Sequence, residues 1–140
     1  MPRWVIDTNV VVSGLLNPAG PPGRIIDAWQ AGRLVMVVDD RILREYGDVL
    51  TRSRLRLDPV RVAGVLALAH NGGEHVVTAG IQLPFVLPDP KDVCFAEVAV
   101  IARVAALVTG NLKHFAVMRD VGPISVLSPF EAVQVLDALV

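Results

Sequence analysis

Four polar side chains interrupt an otherwise oily chain where buried strands should end: Asp7 in Val5-Ile6-Asp7-Thr8-Asn9, Glu45, Asp92, and Asn111 in Val108-Thr109-Gly110-Asn111. Carboxylates gathered in one place repel, and each ordinarily titrates at about pH 4, so three together need a counter-charge or must take up protons. A divalent cation supplies that charge. Oxygen donors with no Cys or His among them favour Mg²⁺ or Mn²⁺ over zinc, and Mg²⁺ takes few carboxylates beside waters and substrate phosphate oxygens. Hydrolysis of a phosphate ester is the chemistry such a centre suggests.

Whether the four residues meet depends on the elements that carry them. Short β-branched runs at Trp4–Ile6, Leu34–Val38, His75–Thr78, Ala106–Thr109 and Ile124–Leu127 read as strands. Between and after them, helices are expected at about Pro22–Ala31, Asp40–Arg52, Pro59–Asn71, Lys91–Ala105 and Pro129–Leu139. Alternation of this kind implies an α/β fold, a three-layer α/β/α sandwich around a parallel sheet of five strands. In an open parallel sheet, ligands bind beyond the carboxyl ends of the strands, where the strand order reverses. Asp7 follows the first strand, and Thr109 and Asn111 end the fourth. Helices in right-handed crossovers start at that same edge, which brings Glu45 and Asp92 close. At 100° per residue Asp92 lies about 20° from Ala99 and about 60° from Phe95, on a packed stripe. Glu45 lies at the border of the polar arc, about 40° from Val49 and about 20° from Arg52.

Other candidates have structural duties. Ser128-Pro129-Phe130-Glu131 reads as a capping box, and Asp58, Asp89 and Asp39 or Asp40 as N-caps. His70 and His75 flank a Gly-Gly turn, His114 suits a structural hydrogen bond, and Cys94 suits a small apolar site in its helix.

The chain has 140 residues, is 53% hydrophobic and carries a formal net charge of −1. One domain, 1–140, is expected. The longest apolar run, from Val98, is broken by Arg103 and falls short of the roughly 20 residues of a membrane span. With a single Cys94 and no apolar leader at Met1-Pro2-Arg3, a cytoplasmic, reducing location is expected. Near-neutral charge excludes bulk attraction to a polyanion, but Arg41, Arg44, Arg52, Arg54 and Arg56 cluster enough for local phosphate contacts.

Val5-Ile6-Asp7-Thr8-Asn9-Val10, Glu45-Tyr46 with Val49-Leu50, Asp89-Pro90-Lys91-Asp92 with Phe95 and Ala99, and Val108-Thr109-Gly110-Asn111-Leu112-Lys113-His114-Phe115 together resemble the PIN-domain family. The resemblance spans nearly the whole chain, in order, and looks closest to the toxin components of bacterial toxin-antitoxin systems related to the VapC toxins. It implies an α/β/α sandwich, a ribonuclease dependent on Mg²⁺ or Mn²⁺, a homodimer and a cognate antitoxin. Asp7, Glu45 and Asp92 match the family's three metal-binding acids. Asn111 matches a fourth, often acidic, position and here brings no charge. Asn9 and Thr109 are then orienting residues, and Arg41, Arg44, Lys91 and Lys113 candidate RNA-phosphate contacts. An inactive PIN-like RNA-binding module remains an alternative. A phosphoacceptor regulatory domain is weaker, because Val5 and Ile6 stand where an acidic pair is needed before Asp7.

Overall fold

A computed structural model describes residues 1–78, 81–121 and 123–139. Its sheet has five parallel strands: β1 (Arg3–Ile6), β2 (Val35–Val38), β3 (Glu74–His75), β4 (Ala106–Val108) and β5 (Ser125–Leu127). Their spatial order is β3-β2-β1-β4-β5. The inner strands are continuous apolar runs because both of their faces are covered; Val5, Val37 and Leu107 are fully buried. Chain order reverses between β1 and β4, where Trp4, Val5 and Ile6 pair with Ala106, Leu107 and Val108. The two strands end side by side, and the Asp7 amide donates to the Val108 carbonyl at 2.9 Å. That is the switch point expected to hold a ligand.

Seven α-helices among the described residues flank the sheet: α1 (Thr8–Leu16), α2 (Pro21–Gln30), α3 (Asp40–Leu50), α4 (Pro59–Gly72), α5 (Val93–Ala102), α6 (Ala116–Val121) and α7 (Pro129–Ala138). Helix α5 packs across β1, β2 and β4, and α4 lies on β2, whereas α7 contacts β5 and α2. The capping expectations hold. Asp39 accepts from the Ile42 amide, Asp58 from that of Val60, and Ser128 and Glu131 form the reciprocal box. The α/β/α class is that expected from the alternation of elements.

Four local expectations need correction. Helix α1 was not anticipated, because Val10-Val11-Val12 and Gly14 are weak helix formers; burial of Val10, Val11 and Leu15 overrides that preference. The fit of α1 against α2 is so close that a Cβ on Gly14 would stand 2.5 Å from the Ile26 Cδ1, and one on Gly23 would stand 2.1 Å from the Pro18 carbonyl oxygen. Helix α6 was also missed, following a 3-10 turn at Leu112–Phe115. Strand β3 stops at His75 rather than Thr78, because β2 ends at Val38 where Asp39 caps α3, leaving nothing further to pair. The helix expected at Lys91–Ala105 begins as a 3-10 turn at Pro90–Asp92 and ends at Arg103, which adopts a left-handed conformation with φ of 52°.

Candidate metal centre

Asp7 is the residue at which β1 becomes α1. It is 6% exposed, and its Oδ2 accepts a 2.8 Å hydrogen bond from the hydroxyl of fully buried Thr109 at the end of β4. The same hydroxyl oxygen accepts the Asn111 amide at 3.0 Å, so one threonine fixes the acid and the turn beside it. Asn9 ties these two chain segments from the other side, its Oδ1 accepting the Gly110 amide at 3.1 Å. Both were expected as orienting residues. In α3, Glu45 is half-buried and accepts a 2.5 Å hydrogen bond from the Thr8 hydroxyl. Next to it Tyr46 is completely buried and donates its hydroxyl proton to the Ile6 carbonyl, pinning α3 under β1 one residue before Asp7. Asp92 opens α5, is 8% exposed, and accepts from His114 Nδ1 at 2.9 Å.

Asp7, Glu45, Asp92 and Asn111 line one cleft of about 350 Å³, with Thr8, Asn9, Asp89, Lys91, His114, Arg52 and Arg54 also on its walls. Electrostatics mark the acids as close neighbours. Burial lifts the Asp7 carboxyl to about 6; the Thr109 hydroxyl opposes the rise, and Asp92 and Glu45 add to it. Burial also raises Asp92, against the hydrogen bond from His114. Among the described residues no Lys or Arg forms an ion pair with Asp7, Glu45 or Asp92. A desolvated carboxyl crowded by two others and unpaired with a protein cation fits an oxygen-ligated divalent ion, as the donor types suggest.

The basic candidates divide. Lys91 stands on the cleft wall, whereas Arg44 and Lys113 are exposed and are not among the residues lining it. Arg41 is engaged elsewhere, bonding Asp39 at 2.8 Å, Glu97 at 2.6 Å and Thr78 at 2.7 Å. Arg52 and Arg54 take its place in the cleft. Their membership of the arginine cluster was visible, but which members face the acids depends on the Ser53–Leu55 3-10 turn. Asp89 caps the Pro90–Asp92 turn as expected, accepting the Lys91 amide at 2.9 Å, yet it also lines the cleft. Cys94 is half-buried, and burial pushes its thiol up to about 12, so it is not a nucleophile at neutral pH.

A profile of the PIN domain matches residues 3–113, which includes all four opening residues. The chain belongs to the PIN-domain family. PIN domains are typically metal-dependent nucleases. It is also 42% identical over 54 residues to an uncharacterized protein of Methanocaldococcus jannaschii, a match covering 39% of this PIN chain and 35% of that protein. The chain thus spans about a third of that relative's length. No helix among the described residues of this PIN domain is long and apolar enough to cross a membrane.

Proposed function

We propose that residues 1–140 form one PIN-domain unit acting as a divalent-metal-dependent endoribonuclease. The carrying observation is that Asp7, Glu45 and Asp92, from three separate elements, line one cleft with no Lys or Arg paired to them among the described residues. In this reading Asp7 and Asp92 hold Mg²⁺ or Mn²⁺, Glu45 helps hold the ion and orient the attacking water, and Asn111 offers an amide oxygen. A divalent ion there supplies positive charge to the scissile phosphate and acidifies water. Thr109 and Asn9 hold Asp7 and the β4 turn in place, and Thr8 orients Glu45. Arg52, Arg54 and Lys91, which form no ion pairs among the described residues, neutralise RNA phosphates. Arg41, Arg44 and Lys113 are left as outlying phosphate contacts.

Incubation of purified protein with single-stranded RNA and Mg²⁺ or Mn²⁺ tests this directly. Cleavage that disappears with EDTA, and in Asp7→Asn and Asp92→Asn variants that remain folded, is the expected result. Undiminished cleavage by both variants in metal-replete buffer would remove the site assignment. The uncharged Asn111 favours one second reading, an RNA-binding module with little turnover; RNA affinity with no metal-dependent cleavage would establish it. The finer role, a toxin with a cognate antitoxin and a homodimeric assembly, is supported by the resemblance to VapC-like toxins. Induced expression should arrest growth and fragment RNA for wild type but not for Asp7→Asn, and light scattering should give twice the chain mass.

A further inference from the structure

The cleft carries charge in one part only. Arg52, Arg54 and Lys91 lie on its walls with the acids, but past Asn9, Ser13 and Asn111 it adjoins a recess of about 210 Å³ that no charged side chain lines. Those three residues belong to both, and Pro22 and Pro129 are among the apolar walls of the recess. Pockets for drug-sized ligands start at about 300 Å³, so this one has room for a single planar ring system. Its polar groups are already placed. Asn9 Oδ1 accepts the Gly110 amide at 3.1 Å, which orients the side-chain amide and leaves Nδ2 and the second lone pair of Oδ1 unspent among the described residues. Asn111 stands at the N-cap of the Leu112–Phe115 turn yet makes no side-chain capping bond, and Ser13 is exposed. Phe130 follows Pro129 in the first turn of α7 and is 62% exposed, the one aromatic side chain so exposed among the described residues. Proteins read single-stranded RNA by stacking an unpaired base on such a ring and hydrogen-bonding its edges.

We propose that this recess is a subsite for one unpaired RNA base beside the scissile phosphate, and that it prefers adenine. Its place beside the cut rests on the nuclease reading. The base type follows from the lining. The two acceptors of a guanine edge are best met by Arg or Lys and the cytosine amine by Asp or Glu, whereas the adjacent amine and acceptor nitrogen of adenine match the paired oxygen and nitrogen of Asn. Asn9 supplies that pair, Ser13 adds a hydroxyl that can donate or accept, and Phe130 offers the stacking face. Phosphates on the flanking nucleotides are met by Arg52, Arg54 and Lys91.

Fluorescence anisotropy with short labelled oligoadenylate, oligocytidylate and oligouridylate measures the preference, on full chains carrying Asp92→Asn so that the RNA stays uncut. Oligoadenylate should bind roughly fivefold to a hundredfold more tightly than the other two. Adding Asn9→Asp keeps the oxygen that holds Gly110 but replaces the Nδ2 donor with an acceptor, so the ratio of adenylate to cytidylate affinity should fall roughly fivefold or more, whatever the added charge does to both. Adding Phe130→Ala, at an exposed position, should weaken oligoadenylate roughly fivefold or more. No binding, equal affinity for the three, or a ratio that Asn9→Asp leaves unchanged overturns the proposal, and an adenylate affinity unchanged by Phe130→Ala overturns its stacking face. Sequencing the fragments of a mixed-sequence RNA cut by the wild-type chain scores the nuclease reading separately. Cleavage with no adenine preference beside the cut removes this subsite and leaves the nuclease, whereas adenylate preference without cleavage removes the nuclease and leaves the subsite.

Discussion

Asp7 carries the clearest consequence at the scale of a single residue. Its folded carboxyl titrates at about 6 because of burial, against an ordinary value of 3.8. Between those values the folded state binds more protons than the unfolded state, so stability falls as pH rises through that window and stays lower above it. The difference corresponds to about 3 kcal/mol at neutral pH. Asp7→Asn, which cannot ionise, should therefore be the more stable protein at pH 7 in EDTA, and its advantage in chemical denaturation should shrink as pH falls from about 6 to about 4. A difference that does not vary with pH would show that Asp7 is not the buried acid described. Thr109→Val should leave the strand intact but release the Asp7 oxygen it holds, weakening Mn²⁺ binding by roughly tenfold or more in a calorimetric titration.

At the scale of elements, the cleft depends on how α1 and α3 are seated. Tyr46 anchors α3 to the last residue of β1 by a wholly buried hydrogen bond. Tyr46→Phe keeps the ring but leaves the Ile6 carbonyl without that donor, and should lower unfolding free energy by about 1–3 kcal/mol in urea titration. The connection between α1 and α2 is held by a close glycine contact. Gly23→Ala must push the Pro18 backbone aside, since the new carbon would lie 2.1 Å from its carbonyl oxygen, and should cost about 1–3 kcal/mol by the same measurement. The strands of this framework were legible because β-branched runs buried on both faces leave a plain pattern. Helix α1 was not, because three valines and a glycine argue locally against a helix that only the neighbouring α2 stabilises.

For the whole molecule, the acids form part of a stability balance that a cation should reverse. A ligand bound by the folded state alone stabilises it by about 2.7 kcal/mol at a hundredfold excess over its dissociation constant. Millimolar Mn²⁺ should accordingly raise the melting temperature of wild type, and EDTA should abolish the rise. Asp7→Asn should show a smaller rise.

Read alone, the sequence determined the α/β class, the parallel sheet, the capping acids and the carboxylates without an evident structural duty, because periodicity, caps and turns are written in adjacent residues. It also placed Asp7 and Asn111 at one sheet edge, since ends of parallel strands share a side. What only the tertiary structure decided was which long-range neighbours meet there. Arg41 turns to Asp39 and Glu97 while Arg52 and Arg54 face the cleft, and His114 reaches back 22 residues to Asp92. Side-chain partners across elements depend on the packing of β4 beside β1 and of α5 across both, and no local pattern in the chain encodes that registration.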